Sequence, residues 1–402
     1  MISADPDQQQ PILSFGFRPF FLFAGLYAVI VMIAWAAWLL LHSMPGILVS
    51  PSISGPPHEW HGHEMIFGYA VAVLSGFMLT AMPNWTGARR VAGAPLLGLA
   101  VLWLFGRLAM WFSAFLPPIA VAIADFAYLP CLGLVVALSL FVRPAARHLI
   151  FLLFIVLLAI ANGAVHSEWL GLAEDLVRPA LDASLLLLAL MVTIIGGRIV
   201  PSFTRNALLR QGESVRLPES YPWLDRVAII AVALLVPLSA FDIAGPLAGF
   251  VAIIAAAANL VRLAMWRSTA TFDSPILWSL HLAYCLLALG FAVLAIAELT
   301  DAMSKSAALH FIAISGIGSM TLAVMTRAAL GHTGRPLVVA HPIALAYVLL
   351  ALAGVVRSIG ITLFPQFYTA MLMTSAGIWI VAFAIFSAVY APILLGPSKK
   401  PA

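Results

Sequence analysis

Twelve times along the chain an unbroken apolar run of spanning length is followed by a break rich in Pro, Gly and charge. A helix crosses a bilayer with about 20 mostly apolar residues at roughly 1.5 Å each. The pattern predicts spans at 19–42, 61–82, 93–114, 118–141, 148–168, 179–200, 223–240, 243–265, 275–298, 306–329, 341–363 and 368–394. The weakest separator is FDIAGP, between the seventh and eighth. A membrane β-barrel would instead show alternating segments of about ten residues. The expected fold is therefore all-α: a polytopic helix bundle forming a single integral membrane domain over 1–402.

Composition agrees. The 402 residues are 63% hydrophobic and 9% charged, whereas a soluble domain carries roughly 45–50% apolar and about 25% charged residues. A cytosolic enzyme, a nucleic-acid reader and a disordered scaffold are excluded. Cys131 and Cys285 both lie in apolar runs, so no disulfide framework is expected. The opening MISADPDQQQ lacks the positive start of a cleavable signal, and all residues are expected to be retained.

Charge sets an orientation. Every second loop is basic: Arg18; Arg89 and Arg90; Arg143 and Arg147; Arg198, Arg205, Arg210, Arg216 and Arg226; Arg262 and Arg267; Arg327 and Arg335; Lys399 and Lys400. These are sixteen of the twenty basic residues. Opposite loops carry Glu59, Glu168, Glu174, Asp175, Asp242 and Asp301. By the positive-inside rule both termini are cytoplasmic.

Spans two, six and ten end alike, in PNWTG around Thr86, PSFTRNAL around Thr204 and VMTRAAL around Thr326. Gaps of 118 and 122 residues separate these threonines, close to a third of the chain. A four-helix module used three times would give that spacing; chance recurrence of Thr, Arg and Gly at helix ends is the alternative.

The candidate chemistry is histidine. Ten histidines accompany sixteen acids, and most fall in or beside spans. Imidazole is a common ligand of transition metals and haem iron, and an ionisable group at membrane depth is a functional candidate by default. The densest group, PPHEWHGHEMIFGY, contains His58, Glu59, His61, His63 and Glu64. His58 and His61 share a helix face while His63 points elsewhere, so two sites are possible; His61 and His63 stand as haem candidates and His58, His61 and Glu64 as copper candidates, with no histidine assigned to either by the spacing. His310, in AALHFIAISGIGSM at the same side of the bilayer, is a third haem candidate, with Gly316 and Gly318 allowing close approach of a helix or flat ligand. His281 and Cys285, four apart, could hold Cu(I), although core packing accounts for them better. His166, at the outer end of the fifth span, could join the His58 to His63 group, but HSEWLG reads better as an interfacial boundary; His332 and His341 read as cytoplasmic. Arg107, Asp125 and Asp182 fall within spans, where Arg107 should meet a carboxylate or a ligand propionate. Met78, Met82, Met320 and Met325 read as apolar filler.

Four blocks carry a resemblance: FGFRPFFLFAGLYA, HEWHGHEMIFGYAVAVLSGFMLTAMPNWTG, GGRIVPSFTRNAL and HFIAISGIGSMTLAVMTRAALGHTGRPL. In this order along most of the chain they resemble the NnrS family of bacterial membrane proteins. The resemblance implies a twelve-helix inner-membrane protein that binds haem, of the b type, and copper, and serves nitric-oxide metabolism or nitrosative-stress defence in denitrifying and related bacteria. The family pattern would fall on His61, His63, Glu64, Gly68, Asn84, Trp85, Gly197, Arg198, His310, Met325, Arg327, His332 and Arg335. Outer-end histidines on spans two and ten, with a pseudo-threefold plan, are also features of haem-copper oxidases, a distant likeness. The sixth span has no His-xxx-Tyr and the seventh no adjacent histidine pair, so a standard binuclear centre is not supported.

The leading expectation is a haem- and copper-binding protein with nitric oxide as its ligand. Whether it turns nitric oxide over, and with which redox partner, oligomeric state or electron donor, the sequence leaves open; the bilayer is its surroundings and nucleic acid no partner. A secondary transporter is the alternative, favoured by Gly- and Pro-interrupted spans but opposed by an echo nearer thirds than halves. A haem or copper delivery factor would use the same histidines with exchangeable binding.

Overall fold

The computed structural model describes residues 11–42, 52–142, 146–213, 216–243 and 245–399, with the side chains of 146 and 147 left out. The amino-terminal decapeptide and three of the loop charges, Arg143, Arg147 and Lys400, thus lie outside the described residues or side chains.

Every described element is helical, and twelve helices are long and apolar enough to span a membrane. They are α1 (Phe17–His42), α2 (Pro57–Thr86), α3 (Ala94–Trp111), α4 (Pro118–Val142), α5 (His148–Trp169), α6 (Val177–Arg210), α7 (Pro222–Ala240), α8 (Pro246–Ala264), α9 (Pro275–Leu299), α10 (Lys305–His332), α11 (His341–Leu363) and α12 (Pro365–Leu395). The chain is a multi-pass membrane protein. Proline stands in the first turn of many of these helices, where its missing N–H costs nothing and its fixed φ suits entry.

The largest boundary difference is at α6, expected to stop at 200 but continuous to Arg210 through Pro201. One proline removes a single ladder bond, and the following NALLR is strongly helix-forming. Arg198, Arg205 and Arg210 therefore lie on a helix. Two further loop charges are structural: Arg18, fully buried, donates to the carbonyls of Leu394 and Gly396 and to Ser398, and Arg262 is buried in the last turns of α8.

The described residues group into two compact units. Unit 1 comprises 1–184, 328–336 and 386–402; unit 2 comprises 185–327 and 337–385. In each, small residues let helices close on one another. Gly76 of unit 1 faces the Phe21 ring, and in unit 2 Gly316 packs on the Leu287 backbone and Gly318 on Trp379. The α10 glycines thus serve helix packing.

Burial is uneven. In their most apolar stretches α2, α6 and α10 are 89%, 72% and 78% buried, against 61% at most for the other nine. These are the three helices whose ends echo one another. The rest present large apolar side chains outward, among them Phe105, Ile123, Phe141, Ile160 and Phe250, as lipid-facing helices do.

Candidate metal centre

The site lies in unit 1 and begins with a local departure from α-helical winding. After the Pro57 start, α2 runs regularly to His63 and then makes a π-helical segment, Glu64–Ala70. Such segments add a residue to the turn and are frequent at functional sites. Within it Gly68 presses against the Tyr27 ring and Arg107 stem, with no room for a Cβ. Two side chains from α1 and α3 thereby reach Glu64: Tyr27 donates to Oε2, and Arg107 Nη1 donates to Oε1 at 2.7 Å. Trp111 Nε1 donates to the Tyr27 hydroxyl at 2.9 Å.

Arg107 also pairs through Nη2 with Asp125 Oδ1 on α4. Gly106 makes this possible, because its face lies directly on the backbone of Ala124 and Asp125. From α5, Asn162 and His166, four residues apart and so on one face, close the cluster. Asn162 Nδ2 donates to Asp125 Oδ2 at 2.9 Å, and His166 Nε2 stands 2.8 Å from the same oxygen. His63 Nε2 lies 3.2 Å from Asp125 Oδ2 and 2.9 Å from Asn162 Oδ1, while its Nδ1 lies 2.8 Å from Glu64 Oε1. None of these six side chains belongs to a residue more than 5% exposed. Phe67 and Trp169 flank the imidazoles, and Trp169 Nε1 donates to Glu59.

Two features make this a candidate ligand set. One atom each of His63, Asp125 and His166 converges, all within 4.8 Å of one another. Nδ1 of His63 faces Glu64 Oε1, and Nε2 faces Asp125 Oδ2 and Asn162 Oδ1; in the tautomer that donates Nδ1–H to Glu64, the Nε2 lone pair points to where the three ligand atoms converge. A carboxylate behind a histidine is the outer-shell arrangement that fixes the tautomer of a metal ligand. Arg107 balances one of the two buried carboxylates, and the second positive charge comes either from a proton on His63 or from a cation in its place. The donor set of two imidazoles and a carboxylate suits a borderline 3d cation.

The other candidates have separate surroundings. His58 is exposed. His61 stacks on Trp35 at 4.7 Å and 13°. Glu64 is salt-bridged to Arg107. In unit 2, His281 is hydrogen-bonded through both ring nitrogens, to Thr204 at 2.8 Å and Ser268 at 2.9 Å, with Cys285 half-buried one turn on. His310 holds the Ser306 carbonyl through Nδ1 at 2.7 Å, leaving Nε2 3.4 Å from Arg357 Nη2.

Several family-pattern positions serve packing. Asn84 bonds back to the Thr80 carbonyl, Trp85 stacks on His148 and Phe151, Arg327 lies 3.8 Å over the Phe203 ring, His332 sits against Phe15 and Phe17, and Arg335 reaches the Thr333 and Pro397 carbonyls. Arg198 is exposed and Met325 fully buried. Gly197 accommodates Arg262, which donates to Asp225, Asn259, Tyr284 and the Thr193 carbonyl in a second buried network, within unit 2.

His166 is the main correction. The interfacial boundary expected at HSEWLG is instead a ring 5% exposed and bonded to Asp125. Asn162 went unnoticed, although NGAVH places it one turn before His166. Arg107 meets two carboxylates, as its depth required.

Twelve helices of spanning length and, within unit 1, a buried, charge-rich histidine cluster define a multi-pass membrane protein with a candidate metal centre. The chain belongs to the NnrS family: the family described as NnrS protein matches residues 11–398, nearly the whole chain. No curated protein matches it.

Proposed function

We propose that this chain is a haem- and copper-binding protein of the bacterial inner membrane, acting in nitric-oxide metabolism or nitrosative-stress defence. The observation that carries the reading is the buried convergence of His63, Asp125 and His166, one ligand atom of each lying within 4.8 Å of the others. His63 Nε2, His166 Nε2 and one Asp125 oxygen would hold copper. Glu64 orients the His63 ring, Arg107 holds both carboxylates in place, Asn162 orients Asp125, and Phe67 and Trp169 exclude water from the imidazoles. A copper ion here would supply a redox-active centre with an open position for a small ligand such as nitric oxide.

Haem fits less well at His63, whose ring nitrogens face Glu64 on one side and Asn162 and Asp125 on the other. It fits better at His310, whose Nδ1 is tied to a carbonyl so that Nε2 carries the lone pair, beside a guanidinium able to meet a propionate. Haem there would supply a second nitric-oxide-binding iron.

One observation favours a different metal. Two histidines with one carboxylate is also the ligand set of non-haem iron(II). Quantifying copper and iron in the purified protein, before and after haem extraction, decides between them. Copper near one per chain, lost in His166→Ala, supports the reading; non-haem iron in its place transfers the site to iron; neither metal, from cells supplied with both, removes it.

A further inference from the structure

Unit 2 holds a guanidinium at membrane depth that its own side chains leave uncompensated. Arg357 lies in the π-helical segment Val356–Gly360, near the end of α11. Its one hydrogen bond among the described residues runs from Nη2 to His310 Nε2 at 3.4 Å, and its Nη1 is shielded from solvent without a partner. Ser358, the next residue, is fully buried with its hydroxyl also unsatisfied. No acidic side chain among the described residues pairs with Arg357. A guanidinium within a spanning helix is costly unless paired, and a shielded, unpartnered Nη1 is a donor that an anion would satisfy.

Unit 1 supplies a template. There, His63 precedes the π-helical segment Glu64–Ala70, and the next helix brings Arg107 beside it. In unit 2, His310 precedes the π-helical segment Ile312–Gly318, and the next helix brings Arg357 beside it. The two sets differ in acids. Glu64 follows His63, and Asp125 completes the charge of Arg107; Phe311 follows His310, and no carboxylate answers Arg357. The second set repeats the histidine and the cation of the first, and among the described residues no carboxylate stands to Arg357 as Asp125 stands to Arg107.

We infer that Arg357 binds the anionic oxygens of a carboxylate or phosphate group borne by a membrane-resident molecule. The guanidinium fork matches both groups. Two sources share this chemistry: the phosphodiester of an acidic lipid and the side-arm carboxylate of a porphyrin. The site is independent of the unit 1 metal centre.

The test uses the full-length protein stripped of lipid and pigment in detergent, as wild type, Arg357→Met and Arg357→Lys. Each is titrated with phosphatidylglycerol, with hemin and with hemin dimethyl ester, reading bound stoichiometry by native mass spectrometry and melting temperature. The expected result is that one probe binds wild type and raises its melting temperature, that Arg357→Met weakens this about tenfold or more, and that Arg357→Lys falls between. Stripped Arg357→Met should melt no lower than stripped wild type, because an unpaired buried charge has gone. Dependence on phosphatidylglycerol identifies a lipid phosphate; dependence on hemin but not its dimethyl ester identifies a carboxylate. Binding of both probes unchanged in Arg357→Met overturns the inference. So does a stripped Arg357→Met protein that fails to fold or melts well below wild type, since Arg357 would then be a structural residue. Copper and iron measured on the same samples report the unit 1 centre separately.

Discussion

His63 and Glu64 are consecutive residues, yet Nδ1 of one lies 2.8 Å from Oε1 of the other. Adjacent side chains on a regular helix diverge, and the contact forms where the π-helical segment begins, at Glu64. That local rewinding sets a carboxylate beside a candidate metal ligand, and it lets Arg107 and Tyr27 share the same acid.

Glu64→Gln keeps the volume and removes the charge behind His63. Metal affinity should fall by about 10- to 100-fold, read by competition with a chelator of known affinity. His58→Ala, at an exposed position outside the cluster, should leave it unchanged.

Arg107→Met strands two buried carboxylates. It should cost about 3–5 kcal/mol of stability, read as a lowered melting temperature in detergent. Adding Asp125→Asn to that variant should recover part of the loss by removing one stranded charge. Equal melting of the single variant and wild type would show that Arg107 does not carry this charge balance.

Gly68→Ala places a methyl group against the Tyr27 ring and the Arg107 stem. Overpacking of this kind costs about 1–3 kcal/mol, and because both neighbours hold Glu64, metal retention should fall with stability. Gly197→Ala meets Arg262 in unit 2 and should lower stability by a similar amount while leaving the unit 1 metal in place.

The spans were legible because apolar length at membrane scale dominates the sequence. Eleven expected spans match their helices within a few residues, and α6 overran because Pro201 and three arginines imitate a loop. The candidate centre was legible only in part. HEWHGHE announces itself by density, and Arg107 by its cost at depth, whereas Asp125, Asn162 and His166 become neighbours only when α4 and α5 pack on α2. His166 also sits beside a glutamate and a tryptophan at a helix end, the usual signature of an interface. The π-helical segments left no composition signal, and Arg357, one charge in an apolar span, escaped notice.

The loop charges assign Glu174 to the outside and Arg216 to the cytoplasm. In a background with Cys131 and Cys285 replaced by Ala, Glu174→Cys should react with a membrane-impermeant maleimide in intact cells. Arg216→Cys should react only after permeabilisation. The reverse pattern would invert the topology.

The central claim, that His63, Asp125 and His166 hold a metal, is tested most directly by X-ray absorption at the copper and iron edges of the haem-extracted protein. The account predicts one metal per chain with a nitrogen and oxygen shell containing two imidazoles and no sulfur, absent from His166→Ala. A metal retained at full occupancy in His63→Ala and His166→Ala, or one with a sulfur ligand, would contradict it and move the centre toward His281 and Cys285.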